Sequence, residues 1–490
     1  MKKVFSLLIV LLFFASCDKK TKDKYNDELA INTEELAAQP NVIVILLDDA
    51  GYVDFGFMGS EDLKTPRIDE LASDGVVFTD AHVSATVCAP SRAGIITGRY
   101  QQEFGFEAND TGFGTSGDIG LAKEVTTIAD AFKSNGYQTI ALGKWHLGGE
   151  AHNHPNQRGF NEFFGFLGGS RSYFPIKNPN KLNALQHNGS QISFDGYLTD
   201  VLGDRSVQYI VENKNKPFFM YLSYNAVHTP MHAKEEDLKK FEGHPRQTLA
   251  AMTWSLDENV GKLRDKLSEL GLLDNTLIYL LSDNGGAYEN DSYSGPLKGW
   301  KGNKFEGGHR VPFVMSWPAQ LPKGKTFDGL TSALDIYTTS LAAAGISIKE
   351  EEADKLDGTN LLPYLQNRKQ GQPHKKLFWR KLDESAVRMG NYKIISLDGF
   401  GSTMYDLAND LGETTDLSKK EPETFKQLMS EFKNWEETIM DPLWDEPENW
   451  KEVTYHIHEQ LMKNEDAKYQ TPKEKKKYLN EKKLSSSNRN

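Results

Sequence analysis

The chain has 490 residues, 38% hydrophobic, 11% aromatic and 26% charged. That composition suits a sizeable core in roughly two to three domains, and it excludes collagen-like, coiled-coil and wholly disordered classes. Lys and Arg number 57 against 69 Asp and Glu, a formal net charge of −12. Nucleic acid is excluded as a partner by that balance, because phosphate backbones need a basic face. An anionic small group needs only local positive charge in one cleft.

Lys2 and Lys3 open the chain, Val4 to Phe14 is almost unbroken apolar sequence, and Ala15-Ser16-Cys17 precedes a polar Asp18-Lys19-Lys20. Residues 1–16 read as a secretory signal. The run is shorter than the ~20 apolar residues of a membrane span. The small residues before Cys17 resemble a bacterial lipoprotein signal, which implies lipidation of Cys17. The membrane contact is then through the lipid anchor only, with a soluble body. The expected location is outside the cytoplasm of a bacterium, periplasm-facing or at the cell surface. Residues 17–40 are polar and read as a flexible tether. Cys88 is the remaining cysteine; with Cys17 lipidated it has no disulfide partner, and a lone thiol in an exported chain is a candidate reactive group.

Three apolar runs follow. Val42 to Leu47 stops at Asp48-Asp49, Phe218 to Ser223 leads to Asn225 and His228, and Thr276 to Leu281 stops at Ser282-Asp283-Asn284. Runs apolar on both faces are typical of parallel strands covered by helices. Helical spacing over Arg67 to Ser73, Thr126 to Ser134 and Thr248 to Leu270 supplies that cover. The alternation predicts an α/β domain over residues 41–370, with the polar residues that end the strands converging on one edge. Past residue 370 short runs at Leu377–Arg380, Ala386–Arg388, Tyr392–Ile395 and Met404–Leu407 predict a small antiparallel sheet. A helix over Phe425 to Ile439 could pack on it, giving a C-terminal subdomain over 371–462. Residues 463–490 are Lys-rich and read as a charged helix and tail.

Between these elements lies Cys88-Ala89-Pro90-Ser91-Arg92-Ala93-Gly94-Ile95-Ile96-Thr97-Gly98. Pro90 early and Gly98 late suit a short helix with Cys88 at its N-terminal edge, a favourable place for an anion. The pattern C-x-P-S-R-x-x-x-x-T-G resembles the type I sulfatase signature, in which the cysteine becomes formylglycine. Gly136 to His146 is similar to the family's second signature, with Lys144 and His146 two residues apart, a spacing that on a strand places both on one face. Lys301, followed by Glu306-Gly307-Gly308-His309-Arg310-Val311-Pro312, resembles the family's lysine and E-G-G-x-R-x-P turn. His228-Thr229-Pro230 ends a strand as the family's third catalytic segment does. The resemblance covers residues 41 to about 410. It implies an alkaline-phosphatase-like sandwich, a large mixed, mainly parallel sheet flanked by helices, with a smaller C-terminal antiparallel sheet and helix.

Asp48, Asp49, Asp283 and Asn284 end two strands and bring hard oxygen ligands together. Facing carboxylates repel and call for a cation. All-oxygen donors suit Ca²⁺ or Mg²⁺ and argue against zinc; the resemblance favours Ca²⁺, touching residue 88 as well. It further implies that a maturation enzyme makes formylglycine from Cys88, that a hydroxyl of its hydrate attacks sulfur, and that Arg92, Lys144 and Lys301 neutralise the sulfate oxygens. His228 then protonates the leaving sugar oxygen and His146 takes the proton that releases sulfate. Asn109, His152, His154, Arg171, His232 and Arg246 lie on nearby loops and are candidate sugar contacts. The expected substrate is a sulfated oligosaccharide from ulvan, carrageenan, fucan or a glycosaminoglycan. The alternatives are a phosphonate monoester hydrolase or phosphodiesterase on the same fold, and a glycan-binding protein whose cysteine is never matured.

Overall fold

The first strand, Asn41–Leu47, dictates the layout of the protein. Val42, Val44 and Leu46 enter one apolar layer, and Ile43, Ile45 and Leu47 enter another. Successive strand side chains point to opposite faces, so an unbroken apolar run needs cover on both sides. In the computed structural model, which describes residues 39–109 and 119–487, that cover is complete. The signal of residues 1–16, Cys17 and the tether up to residue 38 lie outside the described residues.

Asn41–Leu47 lies between Phe218–Ser223 and Thr276–Ser282, parallel to both. Gln138–Lys144 pairs parallel with the far side of Phe218–Ser223, and Glu162–Phe166 with Gln138–Lys144. On the other flank Phe313–Ser316 runs antiparallel to Thr276–Ser282, and it is followed by Val76–Phe78 and Lys325–Phe327. A short hairpin, Gln186–His187 and Ser190–Gln191, completes a ten-stranded mixed sheet with a parallel centre. Helices Cys88–Thr97, Ile128–Ser134 and Asp335–Ala343 cover one face. Pro66–Ser73, Leu198–Asn213 and Gln247–Glu269 cover the other.

The C-terminal strands Lys376–Lys381, Glu384–Met389, Tyr392–Leu397 and Gly401–Asp406 form one antiparallel sheet. Helix Pro422–Glu436 packs on the face carrying Phe378, Val387, Ile394 and Met404. It starts three residues before the expected Phe425 because Pro422 suits the first turn, where its missing N–H costs nothing. The opposite face, with Leu377, Trp379, Ile395 and Tyr405, is covered by a second helix, Glu448–Met462. The Lys-rich end forms helix Pro472–Ser487.

Buried charges join this sheet to the large one. Arg388 donates two 2.7 Å hydrogen bonds to Asp80, which also pairs with His82 at 2.9 Å. Lys393 lies 3.0 Å from Glu306 and 2.9 Å from Glu413. Trp379 Nε1 donates to Val83 O at 2.7 Å.

One glycine positions the end of a central strand. Gly143 has φ +89°, and a Cβ there would sit 2.0 Å from Ser223 O on the neighbouring strand. Gly143→Ala therefore forces strain and strand separation, with an expected loss of about 2–4 kcal/mol. Chemical denaturation measures it; an unchanged midpoint would show that the strand pair tolerates a side chain there.

Candidate active site

Asp48 and Asp49 follow directly on one central strand, and Asp283 and Asn284 on its parallel neighbour. The register carries all four to one sheet edge, where ligands of such sheets gather. Each is at most 2% exposed. Asp49 takes φ +64°, a conformation that disfavours side chains. Two donors hold it there: Asn290 Nδ2 at 3.1 Å and Ser292 Oγ at 2.9 Å from its carbonyl oxygen. Neither residue stood out in the sequence, because each acts on a backbone atom some 240 residues away.

Cys88 begins the helix Cys88–Thr97, which Gly98 ends at φ +67° with its N–H on Gly94 O at 2.8 Å. Cys88 Sγ lies 3.4 Å from Asp48 Oδ1 and 3.9 Å from Asp49 Oδ1. Burial pushes the thiol pKa up, against the pull of Lys144 and Lys301. As a cysteine the group is thus a protonated thiol rather than a nucleophile.

Three cations surround the carboxylates, each from a different element. Arg92, one turn along the Cys88 helix, donates from Nε to Asp283 Oδ2 at 2.8 Å, and its Nη2 lies 2.8 Å from the same oxygen as an ion pair. Its Nη1 bonds Lys144 O at 3.1 Å and Ser223 Oγ at 2.5 Å. Ser223 ends the Phe218–Ser223 strand and went unassigned in the sequence. Lys144 Nζ reaches Asp48 Oδ2 at 2.5 Å, and Lys301 Nζ reaches Asp49 Oδ2 at 2.8 Å. Burial opposes ionisation of Asp48, but Lys144, His228, Arg92 and Lys301 outweigh it and hold the carboxyl well below its usual range. Burial opposes ionisation of Asp49 too, and Lys301 and His228 prevail. Asp283 goes the other way: burial and the charge of Asp48 push it up to about 6 against Arg92 and Lys144.

The donor set fits a hard divalent cation. Asp48, Asp49, Cys88 and His228 offer ligand atoms within 4.8 Å of one another. Asn284 Oδ1 is buried without a hydrogen-bond partner, while its Nδ2 donates to Asp49 Oδ1 at 2.8 Å. An orphaned amide oxygen among carboxylates is a ligand in waiting for calcium or magnesium.

His146 is not on the strand with Lys144, as the two-residue spacing suggested. The strand ends at Lys144, and His146 turns back at φ +59°. Its ring lies against Gly169, where a Cβ would come within 2.5 Å of Nε2. Burial, with Lys144 and Arg92, holds the His146 pKa well below the usual imidazole range, and its buried Nδ1 has no partner. His228 Nδ1 contacts Thr229 O at 2.5 Å, and Nε2 lies 3.6 Å from Asp49 Oδ2. Tyr173, unassigned in the sequence, donates to His228 O at 2.8 Å. Trp145 is buried in the core with its Nε1 on Asn153 O at 2.8 Å.

A cavity of about 310 Å³ opens on this cluster, lined by His228, Lys301, Asn109, Trp300 and Trp450 among others. Of the six expected sugar contacts, Asn109 lines it. The Asn109 side chain is already engaged: Oδ1 accepts the Ala89 N–H at 3.0 Å and caps the Cys88 helix. His154 lines a separate cavity of about 750 Å³ with Lys181 and Gln186, to which it hydrogen-bonds at 3.1 Å. His152 is half-buried in the adjoining Ala151–Asn153 turn. Arg171 is 4% exposed, its guanidinium against the rings of Phe166 and Phe194. His232 pairs with Ser172 Oγ at 3.3 Å.

Arg246 ties two segments together and lines a further cavity of about 810 Å³. It holds Asp54 at 2.6 Å and Asp62 at 2.6 and 2.9 Å, outside the cavity that contains His228. A loop arginine reads as free in sequence because its carboxylate partners come from a segment far away in the chain. Arg246→Ala would leave buried Asp54 unpaired. The expected cost is about 2–4 kcal/mol of stability, with KM unchanged. A large rise in KM at unchanged stability would return Arg246 to the substrate.

Residues 40–346 match the family model described as sulfatase, and residues 299–441 match that of the N-sulphoglucosamine sulphohydrolase C-terminal region. The chain is 33% identical over 397 residues to the uncharacterized sulfatase YdeN of Escherichia coli (strain K12), across 70% of this chain and 68% of that one. It is 30% identical over 377 residues to human N-acetylgalactosamine-6-sulfatase, across 72% and 71% of the two chains. Ps i-CgsB, solved in complex with k-i-k-neocarrahexaose, superposes with a TM-score of 0.78 at 36% identity, covering 86% of this chain and 97% of that one. With the whole acid-and-cation cluster around Cys88 inside residues 40–346, the chain belongs to the sulfatase family and is a sulfuric ester hydrolase.

Proposed function

We propose that the chain removes sulfate from oligosaccharides of a sulfated polysaccharide, a carrageenan-type galactan first, through formylglycine made from Cys88. The observation that carries this reading is the seat of Arg92, Lys144 and Lys301 around Cys88, over buried oxygen donors. The neocarrahexaose bound by Ps i-CgsB supports the carrageenan class ahead of ulvan, fucan and glycosaminoglycans. Formylglycine at position 88 would, as its hydrate, supply the attacking hydroxyl, and Ca²⁺ ahead of Mg²⁺, which Asp48, Asp49, Asp283 and Asn284 would hold, would supply Lewis acidity.

The chain's own residues do the rest. Lys144 and Lys301 each spend part of their donor capacity on an aspartate and keep N–H groups for sulfate oxygens, where negative charge is stabilised in the transition state. Arg92 fixes Asp283 and the end of the Lys144 strand in place. His228, with Nδ1 held at Thr229 O, gives a proton from Nε2 to the leaving sugar oxygen. His146, neutral and with an unpartnered Nδ1, takes the proton whose removal expels sulfate. Burial of the cluster excludes water and strengthens each of these interactions. A signal of residues 1–16 ahead of a lipidated Cys17 would deliver such an enzyme outside the cytoplasm, anchored by lipid where polysaccharide arrives.

The phosphodiesterase alternative is disfavoured by chemistry: its two zinc ions want histidine ligands, whereas Asn284 stands beside Asp283. The unmatured binding-protein alternative is settled by the mass of the Cys88 peptide. The functional test is sulfate release, by ion chromatography, from protein coexpressed with a formylglycine-making enzyme. Oligosaccharides of carrageenan, ulvan, fucan and chondroitin form the panel. Release from the carrageenan member, absent in Cys88→Ser, is expected. Release only from another member reassigns the substrate, and none at all from formylglycine-bearing protein overturns the polysaccharide reading. Chelation with EGTA should abolish release and added Ca²⁺ restore it; activity indifferent to chelation would sink the cation assignment.

A further inference from the structure

The two family models that match this chain end at residues 346 and 441. The segment beyond them nevertheless reaches the catalytic centre. The cavity that contains His228 and Lys301 is also lined by Glu446, Trp450, Thr454 and Gln470. On helix Glu448–Met462, Val453, Ile457 and Leu461 are packed against the small sheet. Trp450, on the same helix, is left 37% exposed at the cavity. Two further rings line that cavity: Tyr288, 49% exposed, and Trp300, whose ring centroids are 5.9 Å apart.

Exposed aromatics beside an anion seat need an explanation, because water is a poor solvent for their faces. A pyranose ring supplies one. Its C–H face is apolar and covers an indole or phenol ring, while its hydroxyls at the rim reach polar side chains such as Gln470 and Glu446. The volume, about 310 Å³, lies at the small end of the roughly 300–1,000 Å³ range of ligand sites and suits a short stretch of sugar rings.

The helix is tied to the catalytic loop as well. His458 Nε2 accepts the backbone N–H of Lys304 at 3.0 Å, three residues past Lys301. Glu446 pairs with Lys381 at 3.0 Å. A sugar held on this wall is therefore held in fixed relation to Lys301, which is what orientation of a leaving group requires.

We infer that the C-terminal segment around helix Glu448–Met462 builds the subsite for the leaving-group sugar, with Trp450 as its stacking platform. The inference rests on the sulfated-oligosaccharide reading above. The test is steady-state kinetics of matured enzyme on k-i-k-neocarrahexaose, comparing wild type, Trp450→Ala, Trp450→Gln and Trp450→Phe. Loss of the ring should raise KM about tenfold, equivalent to about 1.4 kcal/mol of binding. It should leave kcat within about twofold, and Phe should restore most of the affinity. Trp450→Gln provides the comparison should the alanine variant fold poorly, and thermal midpoints identify such a variant. Unchanged KM in both ring-less variants, or a fall in kcat alone, overturns the platform while wild-type release leaves the substrate reading standing. A wild type inert on the hexaose overturns the substrate reading and this inference together.

Discussion

The site is governed by how three fully buried carboxylates are kept ionised. Taking a carboxylate out of water costs several kcal/mol even after relaxation, so Asp48, Asp49 and Asp283 persist together only with counter-charges at contact distance. Arg92, Lys144 and Lys301 come from a helix, a strand end and a loop. The charge balance thereby locks three distant segments against one another. A divalent cation added to this balanced set leaves the centre positive by two charges, which is a seat for a sulfate group. A chain with a net charge of −12 can thus select an anion, because selection depends on the field inside one cleft and not on the sum over the surface.

The same device recurs where the two sheets meet. Asp80 with Arg388 and His82, and Glu306 with Lys393 and Glu413, are buried charged groups that span the joint. Burial and the neighbouring charge of Glu306 push Glu413 up to about 7, against Lys393. Arg310, in the turn that begins at Glu306, donates to Thr79 O at 2.9 Å, next to Asp80. The turn follows Lys301 by a few residues, so the C-terminal sheet holds Lys301 in place as well as covering apolar surface. Buried pairs contribute little net stability against apolar replacements, but each accepts one geometry, which suits a segment that must present an ammonium group to within a few tenths of an ångström.

The readable part of the sequence was the part whose partners are implied by local pattern. Continuous apolar runs demanded a sheet covered on both faces, and the acids at their ends then had to meet. The short helix between Pro90 and Gly98 was legible from its punctuation. His146 was misplaced by the strand rule because it takes a left-handed conformation beyond the strand end, and a histidine in that conformation has no sequence mark. Asn109 and Arg246 look alike in sequence as polar loop residues near motifs. The contacts they make, a helix cap and a tie between two aspartates, depend on atoms brought close only by the fold. Asn290 and Ser292 escaped notice for the same reason, since what they hold is the carbonyl of Asp49.

Chemistry and recognition occupy different physical regimes in this protein. The groups facing the sulfate are on strand ends and a buried helix, at low exposure, where a small displacement costs a charge its partner. The groups that could face the sugar are exposed aromatics and amides on loops and on a helix near the C-terminus, where substitution disturbs little of the core. Sulfate is the same tetrahedral anion in every ester the family cleaves, so the buried half has one solution. Sugars differ in ring hydroxyls and linkage, so the exposed half has many. Motif matches therefore identify the reaction directly, whereas the proposed sugar contacts, Trp450 among them, lie outside every motif.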